Sequence, residues 1–110
     1  PATADAMARR VVELRIHEDA EGRTNLALAD VGGAVLAVSQ FTLYADTRRG
    51  RRPGFTDAAP PQHAEAIYER FCGALEELTV TTARGRFGRP MEVELVNHGP
   101  FTIWLDSADR

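Results

Sequence analysis

Ser39, Gln40 and Thr42 interrupt an otherwise apolar run that begins Ala34-Val-Leu-Ala-Val38. Polar residues breaking a core pattern are a local inconsistency of the kind that marks functional places. A hydroxyl there could serve as a nucleophile, and a fixed backbone N–H could stabilise an oxyanion. Ser39 has no G-x-S-x-G turn around it, so the elbow that exposes a hydrolase serine is missing. No spacing joins His17, His63 or His98 to Ser39 or Thr42, and a conventional triad is unsupported. The plain alternative is a few polar residues at a sheet end. Cys72, beside Phe71 in a helical pattern, reads as a small core residue rather than a nucleophile.

Arg48, Arg49, Arg51 and Arg52 cluster around Gly50. They cannot neutralise one another, and they create a positive field on a chain of net charge −3. Guanidinium groups grip phosphate oxygens in a two-pronged way, which supplies affinity without sequence readout. A solvated charged loop is the alternative. Arg84, Arg86 and Arg89 form a second basic stretch. All 13 basic residues are arginine, a bias that suits bidentate phosphate contacts or reflects compositional drift. Gly99-Pro100 is the other unusual feature: a cis bond there would fix carbonyl directions, whereas an ordinary trans turn is the default. Acidic residues near Gly22 lack the distal Glu of a calcium loop, so no metal or cofactor site is expected.

These residues need elements to hold them. Met7, Val11 and Leu14 share one face of a predicted helix over 3–14, with Thr3 as its N-cap. A short strand over 14–17, a polar turn over 18–25 and a short strand over 25–29 follow. After a turn over 30–33, residues 34–43 read as the clearest strand, its first half buried on both faces. A long loop then carries the four arginines. Pro60-Pro61 opens a second helix with Ile67, Phe71, Leu75 and Leu78 on its buried face. Strands are expected over 79–83, 91–96 and 101–105, the last two joined by the Asn97-His-Gly-Pro100 turn and hence antiparallel. The fold class is mixed α/β, mostly antiparallel sheet with two packed helices.

The 110-residue length fits a single domain over 1–110, able to bury roughly two-thirds of its unfolded surface. With 44% hydrophobic and 26% charged residues, the composition is not that of a disordered chain. One cysteine excludes an internal disulfide framework and an all-cysteine zinc site. No apolar run approaches the roughly 20 residues of a membrane helix, and no signal segment opens the chain, so a cytoplasmic protein is expected.

Two segments carry a resemblance. Val38-Ser-Gln-Phe-Thr-Leu43 resembles the signature strand of the D-aminoacyl-tRNA deacylases, and Asn97-His-Gly-Pro-Phe-Thr102 resembles their Gly-Pro signature. Tyr44-Ala-Asp-Thr-Arg-Arg-Gly-Arg-Arg-Pro53, Gly85-Arg-Phe-Gly88, Asn25-Leu26 and Asp30-Val-Gly-Gly33 extend the match across nearly the whole chain. Phe101 and Gly54 depart from the smaller β-branched residue and the serine usual in the family.

The resemblance implies a cytoplasmic homodimer that hydrolyses the ester of D-aminoacyl-tRNA, and of glycyl-tRNA. It implies a pocket lined by Ser39, Gln40, Phe41 and Thr42, into which the partner subunit inserts a cis Gly99-Pro100 peptide. That peptide holds the substrate amino group so that an L side chain meets the wall. The 2′-hydroxyl of the terminal adenosine assists, which agrees with the missing triad. Phe41 would supply its amide to the oxyanion, Thr42 would help, and Arg48, Arg49, Arg51 and Arg52 would bind tRNA. Family members are longer and open with strands that have no counterpart before Pro1. A non-catalytic RNA-binding module and a small-molecule esterase are the competing readings. The paired pocket motifs weigh against the first, and the missing triad against the second.

Overall fold

The architecture is that of a computed structural model, which describes residues 2–78, 80–99 and 101–108. Helix α1 spans Ala2–Glu13, so Thr3 lies in its first turn rather than before it. Its most buried residues are Ala4 and Ala8, and Val12 packs against the core. Met7, Val11 and Leu14, the expected inner face, are only half-buried. Alanine wins the interface because its short side chain lets two helices approach closely, while the longer residues flank the crossing. The Arg70 guanidinium donates to both Asp5 carboxylate oxygens at 2.7 Å, tying α1 to the second helix.

Strands β1 (His17–Glu18) and β2 (Thr24–Leu26) pair antiparallel. Asp19 organises the turn between them. One carboxylate oxygen accepts the Glu21 and Arg23 amides at 2.9 Å, and the other accepts the Asn25 amide nitrogen at 3.2 Å. The acidic turn is thus closed by its own N–H donors, and Gly22 sits at φ 78°. Residues Ala29–Val31 form a single 3₁₀ turn ended by Gly32 at φ 64°.

Strand β3 is shorter than the sequence suggests. It covers Ala34–Ala37 and then stops. Residues Phe41–Tyr44 curl into a 3₁₀ turn instead of continuing the strand. Nor is β3 buried on both faces: Ala37 is buried and Val35 half-buried, while Leu36 remains exposed. Helix α2 (Pro61–Glu77) begins with proline in its first turn, as expected, and returns the chain to β4 (Thr81–Arg84). The β3–β4 pair is parallel, from Ala34↔Thr81 to Ala37↔Arg84. A helical crossover is what a parallel pair requires. The sheet content is therefore mixed, with one antiparallel and one parallel pair.

The core lies between α1, α2 and β3. It is built of Ala8, Ala37, Cys72, Ala74 and Leu75, with Val12, Val35, Tyr68, Phe71 and Leu78 packed against it. Cys72 is fully buried, as a small core residue should be. Among the described residues, neither 91–96 nor 101–105 forms a strand, which corrects the expected hairpin. Met91, Val93 and Leu95 do alternate with acids, yet they keep 42%, 52% and 70% of their surface exposed. A two-stranded ribbon is marginal without an apolar face to pack on, and among the described residues this segment buries none of these three side chains. No helix among the described residues is long and apolar enough to cross a membrane.

Candidate functional site

The parallel pair ends at Ala37 and Arg84, and there the two strands part. Residues 38–41 diverge on one side and 85–88 on the other. Between them opens a cleft with two lobes that share Ser39, Phe41 and Gly88. The first lobe, about 410 Å³, is apolar and walled by Phe41, Phe55, Phe87, Pro60 and Pro61. Phe41 and Phe55 meet edge to face with centroids 4.9 Å apart, an arrangement that fixes both rings. The second lobe, about 370 Å³, is more polar and is lined by Ser39, Gln40, Arg89 and Met91 among others.

The 3₁₀ turn over Phe41–Tyr44 has a chemical consequence. Leu43 donates to the Gln40 carbonyl and Ala45 to the Thr42 carbonyl, at 3.2 and 3.0 Å. The first N–H groups of any helical turn lack an internal acceptor. Among the described residues, the Phe41 and Thr42 amides have no hydrogen-bond partner. The break in β3 therefore leaves a free amide on Phe41, which lines both lobes, and another on Thr42 beside it. Gln40 donates its side-chain amide to the Thr42 hydroxyl at 2.5 Å, which orients both groups.

The arginine loop has a closed base. Asp46 and Gly54 exchange backbone hydrogen bonds of 2.6 and 2.9 Å, and Gly50 turns the tip at φ 69°. Arg48 is not free to serve as part of a common field. Its side chain grips Asp46 at 2.8 and 3.0 Å. The Arg48 side chain, followed by its backbone amide, holds the Asp46 carboxyl below the usual range. Arg49, Arg51 and Arg52 are exposed and have no ion pair among the described residues. In the second basic stretch, Arg84 is occupied by Glu69 and Glu76 of α2, so it belongs to the scaffold.

Ser39, Gln40 and Phe41 are thus brought together, with Thr42 hydrogen-bonded beside them. Gly99 lines neither lobe of its own chain's cleft. Pro100, and with it the isomer of the Gly99–Pro100 bond, lies outside the described residues. The Asn97 side-chain oxygen accepts the Phe101 amide at 3.1 Å. Sequence reasoning missed Phe55, Phe87, Arg89 and Met91 as lining residues. The glycines around Phe87 were the available signal, since a glycine-flanked aromatic is a loop residue with room beside it.

A small mixed α/β domain with a bilobed cleft at the end of a parallel pair defines a recognisable class. The chain belongs to the D-Tyr-tRNA(Tyr) deacylase family, whose profile matches residues 1–106. It is 57% identical over 101 residues to a protein of Dinoroseobacter shibae named D-aminoacyl-tRNA deacylase, covering 92% of this chain and 70% of that one. A protein of the same name from Anaeromyxobacter dehalogenans is 58% identical over 104 residues, covering 94% of this chain and 70% of its own length. Among solved structures, the c-Myc DNA Unwinding Element Binding Protein superposes with a TM-score of 0.84 at 34% identity. That match covers 94% of this chain and 70% of the other.

Proposed function

We propose that this chain hydrolyses the ester linking a D-amino acid to the end of tRNA, as the names of its relatives state for them. The cleft carries the reading: Phe41, whose amide is free, lines both lobes with Ser39, and Gln40 joins them in the more polar one. The aromatic and proline-lined lobe has the size and flat faces for the terminal adenine. The polar lobe then receives the aminoacyl group. The Phe41 amide stabilises the developing oxyanion, and the Thr42 hydroxyl, held by Gln40, assists. An aminoacyl ester is already activated, so positioning and one oriented donor suffice in place of a triad.

Chirality is set by a rigid backbone wall. Gly99 and Pro100, in cis, come from the second subunit of a homodimer and hold the substrate ammonium. The reading is supported by Gly99 lining neither lobe of its own chain's cleft. Excluding L-substrates by about 10⁴ takes about 5.5 kcal/mol, more than a missing methylene supplies. Glycine has no side chain to exclude, so glycyl-tRNA is also hydrolysed. Arg49, Arg51 and Arg52 contact the tRNA backbone, and the reaction belongs to the cytoplasm.

The test compares hydrolysis of D-tyrosyl-tRNA and L-tyrosyl-tRNA. The expected result is fast release of D-tyrosine with L-tyrosyl-tRNA intact, and a larger loss in Pro100→Ala than in Ser39→Ala. Equal rates on the two enantiomers would sink the chirality filter.

A further inference from the structure

The Tyr68 hydroxyl sits where β3 and β4 part. It donates to the Ala37 carbonyl at 2.7 Å, and the Gly85 carbonyl lies 3.3 Å away. The Gly85 amide donates to the same Ala37 carbonyl at 2.8 Å. That oxygen thus accepts two hydrogen bonds, one from α2 and one from the residue that follows β4. Burial pushes the Tyr68 phenol up, so the proton stays on the donor. The Tyr68 ring also stands 6.1 Å from the ring of Phe87, a wall of the apolar lobe. Gly85 has little freedom: a side chain there would meet Met91 at 3.2 Å and Val38 at 3.4 Å.

Beyond this junction the cleft opens. Residues 38–41 line one side and Phe87, Gly88 and Arg89 the other, and no strand ladder joins the two stretches beyond Ala37 and Arg84. Tyr68 itself lines neither lobe. We propose that Tyr68 is a positioning residue of the cleft: its hydroxyl pins the Ala37 carbonyl and so fixes the spacing of the two walls and the orientation of the bound ester. The consequence for catalysis rests on the deacylase reading above. The clamp itself does not.

Tyr68→Phe removes the hydroxyl and keeps the ring. Phe71→Leu, one turn of packing further along α2 and outside both lobes, serves as the control for lost stability. Small misplacements of reacting atoms cost rate steeply. In Tyr68→Phe, kcat on D-tyrosyl-tRNA is expected to fall about tenfold with KM within about twofold, and the D-over-L ratio to fall several-fold. Hydrogen exchange at the Gly85 amide is expected to quicken about tenfold, because its acceptor is no longer held. Phe71→Leu is expected to lower Tm while leaving kcat and the enantiomer ratio unchanged. Unchanged Gly85 exchange in Tyr68→Phe would overturn the clamp. Quickened exchange with kcat and the ratio unchanged would overturn its positioning role. If the wild-type chain fails to distinguish the enantiomers, the deacylase reading falls alone, and Gly85 exchange still decides the clamp.

Discussion

The two faces of the β3–β4 pair are built from the same short stretch of chain and meet opposite fates. Ala37 is 6% exposed and lies with Val35 beneath α1 and α2, against the fully buried Cys72 and Leu75. Leu36, between them in sequence, is 59% exposed on the other face. The apolar residues beyond the strand behave like Leu36: Leu43 is 64% exposed, Tyr44 60% and Trp104 66%. The period of two in a strand sends neighbours to opposite faces, so helices can cover only one of them. The radius of gyration, 15.6 Å, exceeds the roughly 13 Å expected of a packed chain of this length. The helical face carries the buried core, and the edge where the pair opens carries the candidate site.

The largest effect tests that division directly. Leu75→Ala empties the centre of the helical face and is expected to cost about 2–5 kcal/mol of stability, read as a loss of denaturant midpoint. Leu36→Ser on the open face is expected to stay within about 0.5 kcal/mol. Equal losses from the two substitutions would show that both faces are covered in solution and would dissolve the contrast.

Much of this arrangement is legible in the residues. Pro60-Pro61 and the Ile67, Phe71, Leu75 spacing mark α2 because a proline start and an apolar stripe are local properties. The candidate site is visible at Ser39, Gln40 and Thr42 because polar residues break an apolar run, although the structure ends the strand before them. What is hidden depends on partners. Residues 34–43 look like one strand, yet the ladder needs a neighbour at every residue, and β4 supplies one only as far as Arg84. Met91, Val93 and Leu95 have the alternation of a strand and no face to pair with. Tyr68 sits in a helical pattern like any half-buried tyrosine, and nothing in its spacing reveals the carbonyl it holds.

The arginine loop contains a second, smaller comparison, between one cation held in place and three left free. The pair with Asp46 cancels the charge of Arg48. Replacing Arg49, Arg51 and Arg52 with Gln is expected to weaken tRNA binding and to reduce the slope of log affinity against log salt by about 2, since each lost phosphate contact removes about 0.7–0.9. Arg48→Gln alone is expected to change that slope little. A flat response to the triple replacement would return the loop to a merely solvated role. A full unit lost from Arg48→Gln would show that the ion pair opens on binding.

The smallest effect is acid titration of that same pair. Asp46 is depressed from its ordinary 3.8, first by the Arg48 side chain and then by the Arg48 amide. A lowered carboxylate favours the folded loop wherever it is ionised. Its contribution is therefore complete above the ordinary carboxylate range and disappears as pH falls through the lowered value. Between pH 5 and 8 the loop base should be constant, and below about pH 4 it should loosen. Carboxyl chemical shifts followed by NMR are expected to place the Asp46 midpoint below 3.8 in the wild-type chain and higher in Arg48→Gln. The return should be partial, because the amide of residue 48 still donates after the guanidinium is gone. An identical midpoint in both chains would mean that Arg48 is not held at Asp46, and all four arginines would then count as free cations at the loop.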